Sequence, residues 1–130
     1  MLSSISYSPA NNSDEYNELL RQNHEGLILS SEDFEKFLIE EKITLKPDVK
    51  DNFLKDLVFL NGGFTTANYA VLANELTFQQ FNDLLYRFGF SLEFFSDHID
   101  YRCVQDDHNM WVCKAEKGYI CNSENCKWKP

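Results

Sequence analysis

The chain contains no apolar run approaching the roughly 18 residues that a membrane-crossing helix needs. Its opening residues, MLSSISYSP, have neither the basic start nor the apolar stretch of a secretory signal. These absences predict a soluble, cytoplasmic protein that makes no direct membrane contact. Bases are also scarce, 12 Lys and Arg against 21 Asp and Glu, for a net charge of −9. A surface of that sign repels phosphate, which argues against direct binding to nucleic acid or to an anionic membrane. Catalytic signatures are missing as well: there is no Gly-x-Ser-x-Gly, no phosphate loop and no His-Glu-x-x-His. Cys103 or Cys113 with His98 or His108 could be written as a nucleophile–base pair. Any chain with four Cys and three His offers such pairs, so the expectation is a protein without enzymatic activity. Internal repeats and low-complexity tracts are absent too.

What the chain has in quantity is aromatic side chains: 11 Phe, six Tyr and two Trp among 130 residues. That length suits a single domain able to bury an ordinary core. Three parts are expected within it, a flexible arm over 1–12, a helical part over 13–90 and a cysteine-containing β part over 91–130. The acidity is uneven. Residues 1–60 hold twelve acids and six bases, residues 61–97 four and one, and residues 98–130 five and five.

The helical part reads from its caps. Asn12 or Ser13 starts a helix running to about Asn23, with Tyr16, Leu19 and Leu20 on one face, and Gly26 ends it. Leu27, Ile28 and Leu29 form a buried connector or a short strand. Ser30 with Asp33 opens a second helix with Phe34, Phe37 and Leu38 inside and Glu32, Glu35, Glu40 and Glu41 in water. Ile43 to Leu45 alternates like a short strand. Pro47 suits the first turn of a third helix, which Asp48 and Asp51 favour electrostatically. Its stripe of Val49, Phe53, Leu54, Leu57, Val58 and Leu60 stops at Asn61-Gly62-Gly63. Thr65 is then read as the cap of a fourth helix and Thr77, with Gln80, as the cap of a fifth. The fifth carries Phe78, Phe81, Leu84, Leu85 and Phe88 inward and stops at Gly89.

After Gly89 the period changes. Residues 91–95 are ambiguous between strand and helix. Alternation from Ile99 through Tyr101, Cys103 and Gln105, a turn at residues 106–109, and Met110 to Cys113 predict a hairpin with Cys103 opposite Cys113. Lys117-Gly118 reads as a further turn before Tyr119 to Cys121. The fold class is therefore α+β: a bundle of about five helices followed by a small C-terminal antiparallel hairpin or three-stranded meander. Cys103, Cys113, Cys121 and Cys126 are separated by nine, seven and four residues. In an intracellular protein they are expected as thiols, and together they form a candidate zinc site. Only Cys121 and Cys126 approach the spacing of a zinc knuckle, so buried free thiols are the commoner outcome of such a pattern.

Two features point toward a partner. The hairpin of helices around Ala73, Leu76 and Thr77 loosely follows a helix-turn-helix spacing. Residues 77–88 nevertheless offer the groove Gln79, Gln80 and Asn82 and only one base, Arg87. The acidic helices instead suit a basic protein or nucleoprotein complex. In size and charge the chain is similar to small acidic inhibitors of nucleic-acid enzymes, namely anti-defence proteins such as anti-CRISPRs and toxin immunity proteins. That similarity implies an inhibitor that engages a nucleic-acid-handling protein, with nucleic-acid mimicry as one route. A zinc-stapled adaptor module is the alternative. The contact residues expected are Glu32, Asp33, Glu35, Glu40, Glu41, Asp48 and Asp51, with an aromatic anchor drawn from the exposed members of Phe94, Phe95 and Trp111.

Overall fold

The computed structural model describes residues 7–127. Among these, six helices and a four-stranded antiparallel sheet make a mixed α+β fold in which strands are interspersed with helices. Helices α1 (Ser13–Gln22), α2 (Ser31–Glu40) and α3 (Pro47–Asp56) come first. Strands β1 (Val58–Leu60) and β2 (Gly63–Asn68) follow, then helices α4 (Ala70–Ala73), α5 (Phe78–Phe88) and α6 (Leu92–His98). Strands β3 (Ile99–Gln105) and β4 (Trp111–Cys121) close the chain, and the sheet order is β1-β2-β4-β3.

Where caps predicted helices, helices form. Asn12 accepts the Glu15 N–H, Ser30 accepts that of Asp33, and Thr77 with Gln80 completes a reciprocal capping box. Gly89, at φ 101°, ends α5 in the left-handed conformation that glycine adopts without strain. The first helix stops earlier than Gly26, because Asn23 itself takes the left-handed cap. Residues 27–29 form no strand; Leu27 and Ile28 are a buried connector, and the Ile28 N–H donates to the Arg87 carbonyl at 2.8 Å. Residues 43–45 also form no strand, though Ile43 is buried.

The helical reading of residues 57–69 is overturned. The third helix ends at Asp56, and its apolar stripe continues as β1. Asn61 and Gly62, at φ 55° and 78°, form a two-residue hairpin loop between β1 and β2, and both positive angles match the mirror-image turn that fits strand twist. Thr65 caps nothing. It is a fully buried strand residue whose hydroxyl accepts the Leu60 N–H at 2.8 Å. Because Gly63 to Ala67 are all buried, β2 shows none of the alternation that marks a half-exposed strand. At Gly63 an added Cβ would come within 2.7 Å of both Leu20 and Asn125 side chains, so any larger residue there would require both to shift.

The predicted turn at Lys117-Gly118 is instead an irregularity inside one long strand. The first part of β4 pairs with β3 and its last part with β2. Ile99 opposes Ile120 while Tyr101 opposes Ala115, so on the β3 side residues 116–119 stand against the single residue Asp100. The Asp100 carboxylate anchors this excursion by accepting the Gly118 N–H and the Tyr69 hydroxyl, both at 3.2 Å. Ser91 resolves the ambiguity of the following residues by capping α6 through the Phe94 N–H.

One aromatic core joins helices to sheet. Phe64 on β2 meets Phe88 and Phe90 edge-on at 4.9 Å between ring centroids, and Phe90 stacks on Phe94 at 4.3 Å. Tyr16 of α1, fully buried among them, accepts the Phe64 N–H with its phenol oxygen at 2.6 Å. The void left between Phe53, Phe64, Leu84 and their neighbours is about 20 Å³. The expected arm is held along its described part: Tyr7 and Ala10 are buried, and Ala10 bridges Phe90 in parallel. Residues 1–6 of that arm lie outside the described residues. Phe78, expected inside, is 75% exposed. It occupies the first position of α5, where a side chain leans back past the helix end and beyond the core.

Two outcomes follow from the buried phenols. Tyr16→Phe removes the acceptor for a buried N–H and should cost about 1–3 kcal/mol in a denaturant titration. Burial also pushes the Tyr7 phenol up to about 12 and raises Tyr16 further in the same direction. A group raised in the folded state supports folding fully below its unfolded value near 10. Stability should therefore hold to about pH 10 and fall between there and pH 12, and a midpoint constant across that interval would contradict the burial of both phenols.

Candidate functional site

The acids expected to meet a partner divide into three groups. Glu32, Glu35, Asp48 and Asp51 are exposed on α2 and the first turns of α3. Asp33 is committed to local structure: its carboxylate accepts the Leu29 N–H at 3.0 Å, and its own N–H donates to Ser30. Glu40 is exposed but paired, accepting from the Arg87 guanidinium at 2.8 Å, and Glu41 sits half-buried at the end of α2. Glu35 reaches Lys50 at 3.0 Å, a surface pair that ties α2 to α3 and contributes at most about 1 kcal/mol. Lys36, Lys42 and Lys46 are exposed between these acids, so the face is a mixed one with an acidic excess.

Arg87 belongs to the frame. Its side chain is buried, its Nε donates to the Gly26 carbonyl at 2.7 Å, and its guanidinium lies 5.5 Å from the centre of the Phe37 ring. The one base of the supposed recognition helix is thus spent on holding α5 to α2 and the 26–29 connector. A groove of about 520 Å³ opens beside it, lined by His24, Asp33, Lys36 and Glu40 among others.

The aromatic anchors sit elsewhere than expected. Phe94 is fully buried, stacked between Phe90 and His98. Phe95 is half-buried, edge-on to Tyr69 and Phe81. Trp111 is half-buried against the cysteine cluster. None of the three stands free beside the acids. The large apolar side chain that does is Ile39, 77% exposed on α2. It borders a groove of about 250 Å³ lined by Leu38, Ile43, Leu45 and the Glu35–Lys50 pair. Ile39 follows Leu38 directly and so falls about 100° off the inner stripe of Phe34, Phe37 and Leu38. That offset is readable from helical spacing, and the exposure of Ile39 is what the structure adds.

The cysteines are not thiols. Cys103 bonds Cys126 and Cys113 bonds Cys121, leaving no free cysteine among the described residues. Cys103 and Cys113 do stand opposite each other in the predicted register, yet Cys103 is bonded to Cys126 beyond the sheet and Cys113 to Cys121 at the far end of its own strand. In this state no sulfur can act as a nucleophile or as a thiolate ligand. His98 is engaged too, with its Nδ1 donating to the Phe94 carbonyl at 2.8 Å, and His108 is exposed on the β3–β4 turn. The Cys–His pairs written from the sequence are therefore unavailable as catalytic groups in the bonded form. Cys103, Cys121 and Cys126 are buried with Trp111, Leu60 and Cys113 in a cluster of their own, apart from the aromatic core.

No helix among the described residues is long and apolar enough to cross a membrane. Comparison with protein-family models, with curated proteins and with solved structures finds no match to this chain.

The bonds carry an energetic expectation. Cys103–Cys126 closes a loop of 23 residues, and a constraint of that length on the unfolded chain is worth about 3 kcal/mol. Reduction under metal-free conditions should lower the denaturant midpoint accordingly. Cys103→Ala/Cys126→Ala should reproduce most of that loss, whereas equal midpoints for oxidised and reduced protein would deny the bond a structural role.

Proposed function

We propose that this protein is a non-enzymatic inhibitor that binds a basic, nucleic-acid-handling protein or complex through the exposed face of α2 and the start of α3. The observation that carries the reading is the placement of Ile39 beside exposed Glu32 and Glu35, above the small apolar groove of Leu38, Ile43 and Leu45. A charged rim with an apolar centre is the usual anatomy of a protein-binding patch. The acids supply steering and orientation toward a positive surface, and Ile39 supplies residence. Interleaved lysines break any continuous phosphate-like array, so mimicry contributes charge and the aliphatic contact contributes affinity. An anti-defence protein of the anti-CRISPR type is the form we favour, its target an RNA-guided nuclease complex.

The two disulfides favour a second reading, a toxin immunity protein that meets its basic nuclease target outside a reducing cytosol, because such bonds persist chiefly in oxidising compartments.

The test is a plasmid-interference assay in cells expressing RNA-guided nuclease systems together with this protein. The parent should restore transformation. Glu32→Lys/Glu35→Lys/Asp48→Lys/Asp51→Lys and, separately, Ile39→Asp should abolish the effect while keeping the parent's circular dichroism, since all five side chains are exposed or only surface-paired. With purified target, association of the parent should slow about tenfold between low and physiological salt, with dissociation little changed. Inhibition by both variants at parental strength would contradict the use of this face.

A further inference from the structure

We propose that the four cysteines are a redox-gated metal site: bonded in pairs when oxidised, and jointly ligating one zinc ion when reduced. The proposal does not depend on the function argued above. Its basis is placement. The sulfurs of Cys103, Cys121 and Cys126 all lie within 4.8 Å of one another although the first and third are bonded to each other and the second to Cys113. Four sulfurs around zinc at about 2.3 Å stand about 3.8 Å apart, so once the Cys103–Cys126 bond opens the three buried ones are within reach of one ion. Cys113, opposite Cys103 on the neighbouring strand and bonded to Cys121, is the fourth corner.

The backbone that carries these sulfurs is held by contacts other than the bonds. Cys103 and Cys113 belong to the β3–β4 ladder, and Cys121 pairs with Thr66 of β2. The segment bearing Cys126 is fixed by amides. Asn125 donates to the Leu60 carbonyl at 3.0 Å, Asn122 donates to the Phe64 carbonyl at 3.2 Å, and Asn61 donates to the carbonyls of Asn125 and Lys127 at 3.1 and 2.8 Å. Opening the S–S bonds releases four sulfur atoms while their Cα positions stay defined. Only soft-ligand chemistry is on offer, because the cluster holds thiolates and no carboxylate, which selects zinc over magnesium or calcium.

The exchange balances simply. Each disulfide takes two electrons and two protons from one dithiol reductant, which leaves as its own disulfide, and four thiols result. Zinc then displaces four protons to give a tetrathiolate centre of net charge −2. In a reducing compartment the ion replaces the lost cross-links as the staple of the C-terminal sheet, and in an oxidising one the disulfides serve.

The full-length protein, reduced with a phosphine and freed of metal, would be titrated with cobalt(II) and then with zinc, with stoichiometry read by elemental analysis. One equivalent of cobalt should bind with the intense visible absorption of a tetrahedral site and a charge-transfer band whose intensity corresponds to four thiolates. Zinc should displace it, the oxidised protein should take up none, and Cys121→Ser should weaken binding at least tenfold. The proposal is overturned if the reduced chain binds no cobalt or holds it in an octahedral site. Equal binding by the oxidised protein, or by Cys121→Ser, would overturn it too.

Discussion

The hydrogen bond from the Phe64 N–H to the Tyr16 phenol oxygen is where the two layers of this protein are fixed to one another. Strand β2 is buried along most of its length, so its backbone polar groups have no access to water and each must find a partner. Along β2 the partners come from β1, β4 and side chains, and at Phe64 the partner is a phenol from the first helix, 48 residues away. Around that contact Phe64, Phe88, Phe90 and Phe94 pack edge-on or stacked, geometries that aromatic rings prefer and that hold position as well as burying area. The aromatic wealth of the sequence is thus concentrated where helices meet sheet. Phe34, Phe37 and Leu38 of α2 and Phe53 of α3 belong to the same core, while the cysteine cluster packs apart from it.

The buried cation Arg87 performs a similar service for the candidate binding face. By donating to Gly26 and Glu40 it fixes α2 against α5, and it leaves the outer face of α2 free to present Glu32, Glu35 and Ile39. A second set of polar contacts does this at the far end of α3. There Asp56 accepts from Arg102 at 3.2 Å and from the Tyr119 hydroxyl at 2.8 Å, joining the helix to β3 and β4. The charged residues with buried or shared partners hold elements together, whereas Glu32, Asp48 and Asp51 lie exposed on α2 and α3.

Much of the helical part was legible in the sequence because capping chemistry is local. Asn12, Ser30 and Thr77 each announce a helix within three residues of themselves, and the facing of Phe34, Phe37, Leu84, Leu85 and Phe88 follows from period alone. The β3–β4 register, with Cys103 opposite Cys113, was also readable from alternation about a polar turn. The strands β1 and β2 were not. Residues 58–60 continue the apolar stripe of α3, β2 is buried on both faces and so loses its period of two, and Thr65 resembles a cap. The competing signal was Asn61-Gly62, a hairpin dipeptide taken for a helix stop. The cysteine pairing was hidden for a different reason. For Cys103–Cys126 it depends on the C-terminal segment folding back onto the β1–β2 turn through Asn122 and Asn125, contacts spanning some 60 residues that no local pattern encodes. Ile39 was present as an apolar residue off its stripe, but only burial data distinguish an exposed side chain from one covered by a neighbouring element.

The Ile39 face of α2 is the surface proposed to meet a partner. The direct measurement is site-specific photocrosslinking in the producing cell, with a photoreactive residue placed at position 39 and, as comparison, at the exposed positions 78 and 101. Crosslinks from position 39 to a basic nucleic-acid-handling protein, lost when Glu32 and Glu35 are reversed, are the predicted result. Crosslinks confined to positions 78 or 101, with position 39 silent, would place the partner on the end of α5 or on β3 and contradict it.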